Sequence, residues 1–345
     1  MKNITILLIS LIAFVACQPE PKKIKIDFET IDLHLDNSFR GISVVNESIV
    51  WISGTNGTLV RSSVSGDWEV TQVEGAENLD FRDVVAFDEN TALAMNAGFP
   101  GVIYKTQNGG LDWRIVYNNQ DSAIFLDGLK FWDELNGIAF GDPINGHMVI
   151  ITTNDGGETW MQTPSENTPE KLEIEGGFAA SGSSIVVKEG GYAWVGMGGT
   201  KARVFFTSDY GMSWDVVETP MLCGGNMKGI YSMAFKDAKN GIAVGGEYRN
   251  ENPPQSRAYT SDGGKSWKLG AGVDQYRSGA VFLFDDIYLA TGLSGTDITY
   301  DGGRNWEAIS EIKLHGMQYV ADKKVGYGMG RNGLIVKFKV SNLID

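Results

Sequence analysis

The sequence predicts an all-β protein built from repeated short strands, and three observations lead to this class. Glycine is abundant, with 44 residues in a chain of 345, and aromatic residues make up 11%, a balance typical of short strands joined by many turns. An octapeptide that ends in tryptophan recurs along most of the chain. After the first residues, no stretch of useful length has the periodicity of an amphipathic helix.

The first 17 residues have the pattern of a signal peptide. Lys2 precedes an apolar run, Ile4 to Val15, that is too short to span a bilayer as a permanent helix. The run ends at Ala16 and Cys17, which resembles a bacterial lipoprotein signal in which Cys17 is lipidated; a plain secretory signal is the alternative. We therefore predict a signal peptide over 1–17, a tether over 18–22, a single domain over 23–345, and a membrane-anchored location in the cell envelope, periplasmic or at the cell surface.

Candidate strands follow directly. Residues 23–33, KIKIDFETIDL, alternate between apolar and polar side chains as a half-buried strand does. Each later unit contains three short alternating runs before its octapeptide and one run after the Trp, for example FRDVVAF, TALAMNAG and GVIYKT followed by WRIVYN. Each unit therefore predicts four antiparallel strands.

The spacing of the octapeptides indicates how these units are arranged. The copies end at Trp68, Trp113, Trp160, Trp214, Trp267 and Trp306, so neighbouring copies lie roughly 40 to 55 residues apart. This period suits a four-stranded propeller blade and is too long for a leucine-rich or helical-pair repeat. A seventh unit at the C-terminus has three strands, and the strand at 23–33 would complete it. We predict a seven-bladed β-propeller whose last blade is closed by the N-terminal strand, which removes free sheet edges.

The octapeptide is predicted to stabilise the hairpin between the third and fourth strands of a blade. An aspartate can accept hydrogen bonds from turn N–H groups, glycine tolerates positive φ, and a Trp can bury its ring while its N–H reaches a carbonyl. The residues assigned this structural role are Asp155, Trp160, Asp209, Trp214, Asp262, Trp267, Asp301 and Trp306. A metal at each copy is not expected, because one carboxylate supplies too few ligands.

Three copies match Ser/Thr-x-Asp-x-Gly-x-Thr/Ser-Trp in full, and the copy at Thr299 departs only at Asn305. This pattern is the Asp-box, or BNR repeat, and the chain resembles the photosystem II stability/assembly factor family of BNR propellers. The resemblance lies in FRDVVAF…GVIYKTQNGGLDW and KNGIAVGGE…AYTSDGGKSW and covers about residues 38–340. It implies an extracytoplasmic protein-binding or assembly scaffold without catalytic activity. Photosystem assembly itself is not implied, because family members occur in bacteria without photosynthesis.

Candidate binding residues are predicted on the face opposite the octapeptide hairpins. Residues at the start of each first strand stand near the axis there, and several are arginines, which can grip a carboxylate or another anion bidentately. The candidates are Arg40, Arg82, Asp83, Asp127, Glu247, Arg277, His315 and Arg331. The alternative is that the arginines pair with neighbouring acids and only line the channel. Of two long loops, 165–177 and 247–257, the second is a candidate partner contact.

Charge and composition restrict the partners. A net charge of −14 opposes binding of nucleic acid or anionic lipid, so we expect another extracytoplasmic or membrane protein, or an anionic ligand. The three histidines, His34, His147 and His315, fall in distant units, so no metal, cofactor or His-based catalytic site is expected. Besides Cys17 the only cysteine is Cys223, which cannot form an intrachain disulfide by itself.

The enzymatic alternative is a glycoside hydrolase, because Asp-boxes also occur in sialidases and in propeller enzymes that cleave xyloglucan. Axial carboxylates such as Asp83 and Asp127 would then act on the glycosidic bond. Sialidases carry an early Arg-Ile-Pro phrase that this sequence lacks, and the xyloglucan enzymes resemble two propeller domains where this chain has residues for one. We therefore favour a binding scaffold over an enzyme.

Overall fold

The computed structural model describes residues 23–342, in which strands dominate and one short 3₁₀ helix, Ser165–Asn167, is present. The all-β class is therefore confirmed. The predicted signal peptide and tether, with Cys17, lie outside the described residues, as do residues 343–345.

The strands form consecutive antiparallel groups in which neighbours in sequence pair side by side. A separate first strand, β1 (Ile24–Ile31), precedes them. The first group is β2 (Phe39–Val44), β3 (Val50–Gly54), β4 (Thr58–Ser62) and β5 (Trp68–Gln72). The second is β6 (Phe81–Ala86), β7 (Ala92–Asn96), β8 (Gly101–Thr106) and β9 (Arg114–Asn119). The third is β10 (Leu126–Phe131), β11 (Gly137–Ile144), β12 (His147–Thr153) and β13 (Met161–Gln162).

The later groups follow the same plan with small additions. A two-residue strand, β14 (Glu175–Gly176), precedes β15 (Ile185–Lys188), β16 (Tyr192–Gly199), β17 (Arg203–Thr207) and β18 (Asp215–Glu218). Next are β19 (Gly225–Phe235), β20 (Gly241–Glu247), β21 (Arg257–Thr260) and β22 (Lys268–Leu269). After β23 (Ala271–Gly272) come β24 (Gly279–Phe284), β25 (Ile287–Gly292), β26 (Gly295–Thr299) and β27 (Asn305–Ser310). The last group contains β28 (Gly316–Val320), β29 (Val325–Met329) and β30 (Ile335–Asn342).

The N-terminal strand completes this last group, as predicted. Strand β1 pairs antiparallel with β30 along its whole length, from Ile24 opposite Asn342 to Ile31 opposite Ile335. Its apolar side chains, among them Ile26 and Phe28, pack against the core of the last two groups. The free edge of β30 is thereby covered.

The hydrophobic core lies between successive groups. Trp51 of the first group packs in one cluster with Phe81 of the second, and similar clusters join each following pair. A further cluster contains Phe39 of the first group and Met329 of the last. Because the last group packs on the first, the sheets form a closed ring, and the first strand of each group lies towards its axis.

The octapeptide hairpins have the predicted geometry. The Oδ1 atom of Asp155 accepts hydrogen bonds from the backbone N–H groups of Glu158 and Thr159, at 2.9 and 3.0 Å, and from Oγ1 of Thr153 at 2.7 Å. Burial alone would raise the pKa of Asp155, but hydrogen bonds from Thr159 and Thr153 outweigh it and lower that pKa to about 2. The carboxylate therefore holds the hairpin in its ionised form.

The tryptophans of these hairpins follow the prediction with one exception. The indole N–H groups of Trp214, Trp267 and Trp306 each donate to a glycine carbonyl of their own hairpin at 3.1 Å. Trp160 instead packs edge-on against Phe131, and its buried N–H finds no partner within residues 23–342. The prediction of an indole hydrogen bond is therefore wrong for the copy that ends at Trp160.

The hairpins define one face of the ring, which we call the hairpin face. Strands in the third position of a group, such as β12, run towards this face, because the octapeptide follows them directly. Strand β30 has that position in the last group, and its final residue, Asn342, pairs with Ile24. The chain therefore enters the ring at the hairpin face.

Candidate functional site

A run of small residues, 177–184 (GFAASGSS), lies at the centre of the ring between β14 and β15; we call it the axial segment. The carbonyl of Ala180 accepts a hydrogen bond from Nη1 of Arg40 at 3.4 Å, and the carbonyl of Ala179 accepts one from Nη1 of Arg82 at 3.3 Å. Arg40 belongs to β2 and Arg82 to β6, so the fourth group sends backbone across the axis to the first two groups.

The axial segment also contacts other sides of the ring. Oγ of Ser181 donates to the carbonyl of Ser278, beside β24, at 2.6 Å, and the carbonyl of Ser183 accepts from the N–H of Met233 in β19 at 2.8 Å. Gly182 has φ 66°, and a Cβ at this position would lie 2.2 Å from Oδ1 of Asp83. Only glycine fits at this position.

Above the axial segment, on the face opposite the hairpins, lies a depression of about 310 Å³, which we call the axial depression. Its lining combines two guanidinium groups with aromatic rings and the backbone of residues 177–180. The lining side chains are Arg40, Arg82, Phe125, Phe178, Tyr231, Tyr248 and Tyr276. A pocket with apolar walls and a few converging polar groups is the usual form of a binding site.

The aromatic wall of the axial depression is a connected stack. The rings of Phe178 and Tyr231 are stacked with centroids 3.7 Å apart, Tyr231 meets Tyr276 edge-on at 4.8 Å, and Tyr276 meets Tyr248 edge-on at 5.8 Å. Because each ring is held by the next, the wall is preorganised for an apolar or aromatic group.

The two arginines differ in how their charge is balanced. Nε of Arg82 donates to Oδ2 of Asp80 at 2.7 Å, whereas Arg40 forms no salt bridge within the described chain. Burial lowers the pKa of Arg40, and the positive charge of Arg82 acts in the same direction. A guanidinium stays protonated at physiological pH even so. Arg40 therefore carries a partly buried positive charge that has no carboxylate within salt-bridge distance in the described chain and that Asp80 offsets only from farther away, which favours an anion in the axial depression.

Two other predicted residues lie beside this depression. Nη2 of Arg331 donates to the hydroxyl oxygen of Tyr248 at 2.7 Å, so the last group reaches an aromatic residue of the depression. Glu247, next to Tyr248 in the chain, has a carboxylate oxygen 4.0 Å from Nζ of Lys228. The loop 247–257 thus contributes Tyr248 to the depression directly.

Arg277 requires a correction, because it does not point into the axial depression. Its guanidinium is 1% exposed and binds the carboxylate of Asp297, which also accepts from Nη2 of Arg257 at 3.1 Å. This is the ion pairing that the alternative interpretation expected, and burial is its reason: a buried guanidinium needs a carboxylate nearby.

Asp83 and Asp127 are also not available to a ligand, since both side chains are fully buried. Asp83 accepts from the N–H of Leu129 at 2.8 Å and from Nζ of Lys130 at 2.9 Å, and so joins the second and third groups. Burial raises the pKa of Asp127 well above its usual range, and the charge of Asp142 adds to the shift. Asp142 in turn accepts from the N–H of Gly177 at 2.8 Å, so these carboxyls lie under the axial segment.

His315 lies in the interior, 2% exposed, and does not face solvent. Burial lowers its pKa to about 3, and the charge of Arg40 contributes to this shift. The ring is therefore neutral at physiological pH, and Nδ1–H donates to the carbonyl of Phe39 at 2.8 Å. This bond joins the last group to the first, so the role of His315 is to support the ring beneath Arg40.

Among the aromatic residues of the axial depression, only Tyr248 lay in a predicted element, the loop 247–257. Tyr231 lies in β19, while Phe178 and Tyr276 lie in segments just before the first strands β15 and β24. The sequence did contain a signal for the aromatic residues near a first strand, because the start of each first strand was expected to stand near the axis, the same expectation that predicted the arginines. Phe178 was hidden because the axial segment extends the loop 165–177 by several residues.

Other kinds of site gain no support from the described residues. Within 23–342 no group of histidine, cysteine, aspartate or glutamate side chains is arranged to hold a metal ion. The same residues include no helix that has the length and apolarity to cross a membrane. Cys223 is half-buried and forms no disulfide in this part of the chain.

The closed ring of sheets and its axial depression define a β-propeller. No protein-family model matches the sequence, and no curated protein matches it. Solved structures do match. A YCF48 bound to a D1 peptide has a TM-score of 0.59 at 15% identity, covering 92% of this chain and 97% of that one.

Two further structures have similar scores. YCF48 from Cyanidioschyzon merolae has a TM-score of 0.63 at 14% identity over 90% of this chain and 98% of its own. A streptogramin B lyase structure has a TM-score of 0.63 at 12% identity over 92% of this chain and 98% of its own. At these identities the similarity establishes the propeller fold, and it includes both a peptide-bound protein and a lyase.

Proposed function

We propose that this chain is an extracytoplasmic propeller, anchored by lipid at Cys17, that binds a segment of a partner protein in the axial depression. The observation that carries the proposal is Arg40, a partly buried guanidinium without a carboxylate partner in the described chain, next to a preorganised aromatic wall. The likeness to a YCF48 bound to a D1 peptide supports a peptide as the ligand. No observation favours the glycoside hydrolase alternative, since Asp83 and Asp127 are both fully buried.

The chemistry of the axial depression indicates what the segment carries. A carboxylate would form a charge-assisted pair with Arg40 and Arg82, and an apolar or aromatic side chain beside it would pack on Tyr231 and Tyr276. The volume of about 310 Å³ suits one or two residues, so the remainder of the partner would lie on the surrounding loops. The whole chain has a net charge of −14, which does not attract anionic partners in general. A carboxylate would therefore be recognised only at the place where these few arginines lie.

The test is crosslinked capture of partners from the envelope of the source cells, with wild type and Arg40→Met as baits. Arg40 makes no ion pair that folding depends on, so the variant should fold. Loss of a charged hydrogen bond should weaken binding by about 1.5–3 kcal/mol, on the order of tenfold to a hundredfold in Kd. Arg304→Met, on the hairpin face, is the matched control. Recovery of the same partners in the same amounts by wild type and Arg40→Met would refute the proposal.

A further inference from the structure

The octapeptide hairpin between β17 and β18 differs from the four copies that keep glycine at the fourth position. The fourth position is glycine with positive φ in the copies at Gly109, Gly156, Gly263 and Gly302. In the hairpin between β17 and β18 it is Tyr210, with φ 61° and a side chain that is 40% exposed. A bulky residue in this conformation is strained. The sixth position of the same hairpin is Met212, 66% exposed. Three other copies have a charged residue there, Glu158, Lys265 or Arg304, whereas the copy ending at Trp113 has Leu111, 82% exposed.

Tyr210 belongs to a connected apolar patch on the hairpin face. Its ring meets the ring of Trp132 at 5.2 Å, and the indole N–H of Trp132 donates to the carbonyl of Tyr192 at 2.7 Å. Tyr192 is 37% exposed, and Leu135, in the same turn as Trp132, is 58% exposed. We call these residues, with Met212, the hairpin-face patch. It combines the exposed side chains of Leu135 and Met212 with the contacting residues Tyr210, Trp132 and Tyr192.

We infer that the hairpin-face patch docks on the lipid surface of the membrane that carries the anchor, an inference that rests on the lipid anchoring at Cys17 proposed above. The position of the chain start supports a lipid surface as the occupant. Ile24 lies at the hairpin face, and the residues between it and Cys17 can span at most about 25 Å when fully extended. A lipid on Cys17 therefore keeps this face, and not the face of the axial depression, close to the bilayer.

The composition of the patch agrees with this occupant. Tryptophan and tyrosine favour the interface between acyl chains and headgroups, while Leu135 and Met212 supply side chains that can enter the apolar layer. The charged neighbours in the same turns, Asp133, Glu134 and Asp209, are acidic, so the expected surface is zwitterionic. The anchor joins the ring at the last group, and the patch lies on the third and fourth groups. Two separate points therefore hold the hairpin face to the membrane. The axial depression, on the opposite face, is turned away from the membrane.

The test uses the full chain, purified with its native N-terminus and reconstituted in phosphatidylcholine vesicles that contain brominated acyl chains. Bromine quenches tryptophan fluorescence only at short range, so the difference between wild type and Trp132→Phe reports the depth of Trp132. We expect greater quenching in wild type, and loss of that extra quenching in Tyr210→Gly and Met212→Lys. Tyr210→Gly should leave the protein folded, because glycine occupies this position in four other hairpins.

The matched control is Ile174→Ser, which removes a side chain of 45% exposure from a loop on the opposite face and should leave quenching unchanged. Mass spectrometry of Cys17 separates the two proposals. If Cys17 is acylated and wild type and Trp132→Phe are quenched equally, the docking inference is overturned while the anchor stands. If Cys17 carries no acyl chain, the anchor is refuted, and docking stands only if Trp132 is still quenched.

Discussion

The guanidinium of Arg277 holds the carboxylate of Asp297 with two hydrogen bonds, from Nε to Oδ2 at 2.8 Å and from Nη2 to Oδ1 at 2.7 Å. Arg257, whose guanidinium lies over the ring of Trp306, shares the same carboxylate. All three charged side chains are at most 1% exposed. One carboxylate therefore balances two buried arginines, so both depend on Asp297.

Asp297→Ala should lower the free energy of unfolding by about 3–5 kcal/mol, because it leaves two buried guanidinium groups without their carboxylate. Urea denaturation measures the change. The control is Glu218→Ala, which breaks the pair between Lys201 and Glu218, and should cost less than about 1 kcal/mol because both side chains are exposed. Equal losses in the two variants would contradict the assignment.

Deletion of residues 23–33 should lower the melting temperature and promote self-association, because it uncovers the edge of β30 along its whole length. Thermal unfolding and light scattering measure the two effects. Within the intact strand, Phe28→Ala should destabilise more than Glu29→Ala, since Phe28 packs 5.9 Å from the ring of Phe338 whereas Glu29 is exposed. An unchanged melting temperature after the deletion would show that closure by β1 is unimportant.

Asp262→Ala should cost about 1–3 kcal/mol of stability, because the carboxylate accepts from the N–H and the hydroxyl of Ser266, at 2.9 and 2.6 Å, and from Thr260 at 2.8 Å. Hydrogen bonds from Ser266 and Thr260 lower the pKa of Asp262 although burial opposes them, so its contribution is present above the usual carboxyl pKa and is lost as the pH falls through the lower folded value. Chemical denaturation at two pH values tests both statements. The control is Asp215→Ala, at an exposed strand position, whose stability should stay within about 0.5 kcal/mol of wild type. If Asp215→Ala lost as much stability as Asp262→Ala, the hairpin role assigned to Asp262 would be contradicted.

His315 should make the protein sensitive to mild acid. Because the folded pKa is about 3 and the usual value is 6.5, the unfolded chain binds a proton between these values that the folded chain does not. The free energy of unfolding should therefore fall by about 1.4 kcal/mol for each pH unit below the usual value, down to the folded pKa. In His315→Asn, measured by denaturation at pH about 7 and about 5, the difference between the two values should shrink. An unchanged difference in His315→Asn would mean that His315 titrates normally.

Local patterns allowed much of the fold to be predicted. The alternation in KIKIDFETIDL predicted β1, and the octapeptides predicted hairpins in which Asp155 accepts backbone hydrogen bonds. These features depend on contacts between residues near in sequence, or on the need to cover a sheet edge, so the residue pattern contains them. The site was only partly predictable: Arg40 and Arg82 do line the axial depression, but Arg277 turns to Asp297.

The sequence by itself determined the all-β class, the repeat and the hairpin chemistry. Tertiary structure decided which charged residues stay accessible, because burial depends on partners far away in the chain. Asp297 is distant in sequence from Arg257, and the axial segment reaches Arg40 from the other side of the ring. Solvation and pairing energies arise only when such groups meet, and therefore a pattern of arginines cannot show in advance which one remains without a partner.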